Sequence, residues 1–153
     1  MRISVVKIAA GATLALVGLV SLRAQAPDRN VWTGVYTAEQ AQRGKAAYAT
    51  QCAACHGGSL AGIDVAPALV GAPFLNNWNN TNAGDLHERI RMTMPLQAPG
   101  SLGGRMVADI EAYIFQVNGM PAGDLALPPN PALMSNVTIT AQKPAGLAQD
   151  CAC

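Results

Sequence analysis

The chain has 153 residues, of which 10 are Lys or Arg and 9 are Asp or Glu, for a net charge of +1 at pH 7. That length suits one compact domain with extra segments and excludes two full domains. Only 12% of the residues are charged, so neither a basic face for nucleic acid nor strong attraction to anionic lipid is expected.

Residues 1–24 read as a signal peptide. Met1-Arg2 and Lys7 frame an apolar run, Ile8 to Leu22, that has the length of a signal core and falls short of the roughly 20 residues a spanning helix needs. Ala24 and Ala26 supply the small residues of a cleavage site; left uncut, the segment would serve as a membrane anchor. No cysteine precedes Cys52, so a lipidated N-terminal cysteine is not expected. Removing residues 1–24 leaves 7 basic against 9 acidic residues, a net charge near −2. The expectation is an exported, periplasmic protein, in contact with a membrane only if the segment stays uncut.

Residues 25–35 form a lead-in without helical or strand period. At Thr37 the run T-A-E-Q fits a capping pattern, with Gln40 three residues after the N-cap. The helix it opens should reach about Cys52, through a stretch rich in Ala, Gln, Lys and Arg. Residues 57–80, with many Gly, Pro and Asn, read as an ordered loop. A short helix is expected from about Ala83 to Met92, with Leu86 and Ile90 inward and Glu88, Arg89 and Arg91 outward; His87 reads as a surface residue. A last helix starts near Ser101 or Leu102 and stops at Asn118-Gly119, with Val107, Ile110, Tyr113, Ile114 and Val117 as its buried stripe. Beyond Met120 five prolines punctuate a segment of few charges, expected to pack as an extended arm or to stay partly loose. Three helices and long loops make a small core, and loops of that length suggest that something other than side chains fills its centre.

Gln51 to Gly58, Q-C-A-A-C-H-G-G, holds the chemistry. On a helix Cys52, Cys55 and His56 fall within an arc of about 100°. Two thiols can then add to the vinyl groups of one haem while the imidazole reaches its iron. A thioredoxin-type disulfide would need a βαβ setting, which the chain lacks. A zinc site would need a second ligand pair at suitable spacing, whereas Cys151 and Cys153 are nearly 100 residues away on a tail. They could bridge each other or another chain. C-x-x-C-H behind an export signal therefore reads as the attachment site of one haem c, with Cys52 and Cys55 as anchors and His56 as an iron ligand. Candidates for the iron's sixth position are the methionines and His87. Met94, at a helix exit just before Pro95, stands where a side chain can point back from a loop.

Tyr36 to Leu125, a little under 60% of the chain, resembles the small class I cytochrome c domains of bacterial periplasms. The resemblance lies in the order R-G-K-A-A-Y, C-A-A-C-H-G, A-P-A-L-V-G, T-M-P, P-G-S-L, D-I-E-A-Y-I and N-G-M-P-A-G. It implies an all-α cytochrome c fold: three main helices and irregular loops around one covalent haem, in a domain spanning 36–126, followed by a Pro-rich extension at 127–153. It further implies that Met94 is the distal ligand, that Gly44 crosses Tyr113, that Pro67 offers its carbonyl to the proximal histidine, and that Trp78 lies near the haem propionates. The function implied is the carriage of electrons one at a time between redox proteins, such as a dehydrogenase and a terminal oxidase. Alternatively, the chain would be the cytochrome subunit of a larger oxidoreductase, for instance a quinoprotein dehydrogenase, or a haem protein with a labile sixth ligand. No catalytic side chains are expected.

Overall fold

The computed structural model describes residues 29–64 and 66–145. The expected signal segment and the cysteines 151 and 153 lie outside the described residues.

In chain order the elements are β1 (Arg29–Asn30), α1 (Ala38–Gln51), α2 (Ala53–His56), α3 (Gly71–Trp78), β2 (Thr81–Asn82), α4 (Ala83–Thr93), α5 (Gly104–Val117), a 3-10 turn (Pro131–Met134) and β3 (Val137–Ile139). The architecture is predominantly helical, with one small sheet among the described residues. α1 begins as its sequence dictates: the Thr37 hydroxyl accepts a hydrogen bond from the Gln40 amide at 3.2 Å. α4 begins the same way, with the Asn82 side chain accepting from the Asp85 amide at 2.9 Å. It ends at Met94, whose extended backbone suits a residue that precedes proline.

α5 is the central element. Every residue from Val107 to Phe115 is buried, as befits a helix packed on all sides. One side meets α1, where a Cβ on Gly44 would collide with the Asp109 backbone carbonyl and lie 3.0 Å from the Tyr113 Cβ. The crossing implied for Gly44 and Tyr113 is therefore present, and it brings the Tyr48 and Tyr113 rings to 5.6 Å between centroids. The two acids in the buried run are both partnered. Asp109 accepts two hydrogen bonds from Arg43, each 2.9 Å, and Glu111 meets His87.

The structure corrects the sequence expectations in three places. Within residues 57–80, expected as loop, Gly71–Trp78 is a helix. The lead-in contains β1, and a small sheet exists in the order β1-β3-β2, with β3 parallel to β1 and antiparallel to β2. His87, expected at the surface, has no exposed side-chain area. One cause links the last two corrections: the segment after Met120 folds back over the domain. Gln40 exchanges two hydrogen bonds with the Leu127 backbone at 3.0 and 2.8 Å, and the Trp32 indole donates to the Thr140 carbonyl at 3.0 Å. Leu127, Met134, Val137 and Ile139 enter the same core as the helices.

Candidate functional site

The four sequence-derived residues converge on one cavity of about 330 Å³, whose walls include Cys52, Cys55, His56, Pro67, Trp78 and Met94. Leu86 and Ile90 of α4 and Ile110 and Ile114 of α5 form its apolar side. Such an apolar cleft, with few polar groups on its walls, suits a large flat apolar group better than water.

Local folding sets the proximal side. Cys52 interrupts the helix after α1, and the amides of Cys55 and His56 both donate to its carbonyl, at 3.1 and 3.0 Å. This turn keeps the two thiols and the imidazole on one flank. The Tyr48 hydroxyl donates to the Gly57 carbonyl at 2.7 Å, tying the turn down to α1; burial pushes that phenol up to about 12, so it stays a donor at all ordinary pH.

His56 is nearly buried, and its Nδ1 lies 2.8 Å from the Pro67 carbonyl oxygen. A carbonyl only accepts, so Nδ1 carries the proton and Nε2 keeps its lone pair. That tautomer is the one a metal-ligating histidine needs, and the carbonyl orients the ring. Cys52 and Cys55 are unbridged. Burial pushes the Cys52 thiol up to about 11, the opposite of the low value that marks a redox-active or exchange-prone cysteine.

The distal side follows from the end of α4. Of the methionines in the described residues, Met94 alone lines the cavity. Met92, two positions earlier, is 52% exposed, while Met120 and Met134 are buried elsewhere in the core. His87 is absent from the wall, which removes it as a candidate ligand. Sequence reasoning missed Arg89, which lines the cavity and, among the described residues, forms no salt bridge. Its only sequence signal was its position five residues before Met94.

This donor set, apolar pocket and helix arrangement define a c-type cytochrome domain. The chain is a class I c-type cytochrome that binds haem c covalently, an electron-transfer haem protein. A family model described as "Cytochrome C oxidase, cbb3-type, subunit III" matches residues 39–114. No curated protein matches the chain. Among solved structures, the sulfane dehydrogenase SoxCD from Paracoccus pantotrophus matches at 19% identity with a TM-score of 0.47, covering 71% of this chain and 61% of that chain. The chain thus spans less than two thirds of that SoxCD chain.

Proposed function

We propose that the chain is an exported mono-haem electron carrier. In this reading Cys52 and Cys55 carry the thioether bonds, and His56 and Met94 are the iron's axial ligands. The observation that carries it is Met94 as the single methionine of the cavity wall. When bound, the haem supplies a reversible one-electron change at its iron.

The chain's own residues do the rest. The Pro67 carbonyl holds the His56 ring in one orientation. The cap amide of Met94 donates to the Ile90 carbonyl at 2.9 Å, fixing the thioether at the end of a rigid helix. A thioether favours ferrous iron and so raises the potential. Leu86, Ile90, Ile110 and Ile114 keep water from the pocket, which strengthens this effect. The rim, with Gln51, Cys55, Asn77, Leu96 and Gln97 exposed, is where electrons enter and leave.

Carbon monoxide added to the reduced protein tests this reading. With Met94 in place the visible spectrum should hardly change; a large shift on mixing would mean an open sixth position and a small-molecule-binding haem.

A second reading is favoured by the family model's description as an oxidase subunit. Here the same rim docks permanently on a larger oxidoreductase. Gel filtration of a native extract, followed by haem absorbance, separates the two: a peak at the size of the single chain supports the free carrier, and a much larger one the subunit.

A further inference from the structure

His87 and Glu111 make no use of the cavity, yet the domain buries both completely. Their contact is a 3.3 Å approach of His87 Nδ1 to Glu111 Oε2. Among the described residues, the other polar atom of each, His87 Nε2 and Glu111 Oε1, has no hydrogen-bond partner. Two ionisable groups buried with half of their polar atoms unmatched are costly to keep, and an apolar pair of similar size would pack there at no such cost. Their position matters as well. Each follows in sequence a residue of the cavity wall, Leu86 on α4 and Ile110 on α5, so the pair stands about a quarter-turn round both helices from the pocket.

We propose that His87 and Glu111 together form a buried one-proton site whose occupancy is linked to the oxidation state of the haem. This rests on the electron-carrier reading above.

The charge arithmetic is simple. With one shared proton the pair is neutral overall, whether as imidazole and carboxylic acid or as imidazolium and carboxylate; without it the pair carries −1. Burial lowers the proton affinity of His87 and raises that of Glu111 far above the ordinary carboxylate range, which favours the neutral imidazole and carboxylic acid. Few other charges intervene. On α4, Arg91 and Glu88 oppose each other in their effect on His87 and pair at 3.0 Å on the surface. On α5, Asp109 is held by Arg43 of α1. The arm that covers the pair, Leu127 to Thr140, has no ionisable side chain. It approaches so closely that a Cβ on Gly104, itself 3.7 Å from His87 Nε2, would collide with the Pro129 carbonyl.

Reduction therefore brings one electron from the redox partner and, within a window of pH, one proton from solvent to the pair; oxidation releases both. No other bond is made or broken. A unit charge on the order of 10 Å from the pair, at an effective dielectric near 20, would change its proton affinity on the order of tenfold between the two oxidation states. Tenfold corresponds to 59 mV for a one-electron couple. The sign is fixed: the reduced protein holds the proton more tightly, so the midpoint potential falls as pH rises between the two affinities and is flat on either side.

The test uses the full haem-loaded protein with ¹³C-labelled glutamate carboxyls, of which the chain has three, at Glu39, Glu88 and Glu111. Titrated in both oxidation states, Glu111 should show a midpoint on the order of tenfold higher in proton affinity when reduced, while the exposed Glu39 serves as the internal reference. In parallel, Glu111→Gln should abolish the fall of potential across that window without altering the haem spectrum. A Glu111 signal that titrates identically in both states overturns the proposal, and so does a pH dependence that persists unchanged in Glu111→Gln. Should that variant not fold, the wild-type carboxyl signal decides alone. Carbon monoxide binding by the reduced protein would defeat the Met94 reading and leave this measurement interpretable.

Discussion

Gly44→Ala should lower the thermal midpoint of the haem-loaded protein by about 8 °C. Two effects compete at this position. Replacing a mid-helix glycine by alanine favours the helix by about 1 kcal/mol. Against that, the added methyl group must enter space already filled by the Asp109 carbonyl and the Tyr113 Cβ. Both belong to the buried central helix, whose backbone cannot shift without moving Ile110 and Ile114 at the pocket wall. Overpacking of this kind, against backbone instead of a flexible side chain, costs at the upper end of the usual 1–3 kcal/mol or beyond, so the collision wins. About 3 kcal/mol of overpacking against about 1 kcal/mol of helix gain leaves a net loss of about 2 kcal/mol, and at about 4 °C per kcal/mol, where the ranges for smaller and larger domains meet, this gives the stated shift. Thermal unfolding followed by circular dichroism reads it. An unchanged or raised midpoint would mean that α1 and α5 do not cross at Gly44.

Much of this site was legible because its determinants are local. C-A-A-C-H fixes two thiols and an imidazole by helical geometry alone, and Thr37 with Gln40 announces the start of the helix that leads to it. Met94 was legible for a related reason: a proline after it ends α4 and leaves its side chain free to turn inward. Gly44 is different. Alone it reads as a tolerated helix glycine, and only the order of motifs along the chain pointed to its partner on α5.

What escaped the sequence depends on distant segments. α3 begins with no capping side chain of its own; the Gly71 amide instead donates to the Asn118 side chain at 2.9 Å, 47 residues away. No local pattern carries that information, and the run G-A-P-F-L-N-N-W looks like loop. His87 was misplaced because helical periodicity assigns one buried face per helix, and Leu86 with Ile90 had claimed it. Ala83, Gly84 and His87 form a second buried face, which exists only because the arm lies across it. A Cβ on Gly84 would collide with the Pro131 carbonyl. The small residues Ala83 and Gly84 were the available signal, and their meaning depended on a proline-rich segment whose own sequence has no period.

The second large effect concerns Met94. Axial ligands set haem potentials over a range of ~0.8 V, and loss of a thioether removes the ligand that favours the ferrous state. Met94→Ala should therefore lower the midpoint potential by on the order of a tenth of a volt or more. Covalent attachment through Cys52 and Cys55 should persist, because neither thiol depends on the distal side. Among the described residues no replacement is at hand: Met92 is directed to solvent, and His87 lies beyond the pocket wall. The most direct measurement is the optical spectrum of the oxidised protein beside that of Met94→Ala. The wild type should show the weak red-edge band of a thioether on ferric haem, and the variant should lack it while keeping a covalently bound haem; a band present in both, or in neither, would contradict ligation by Met94.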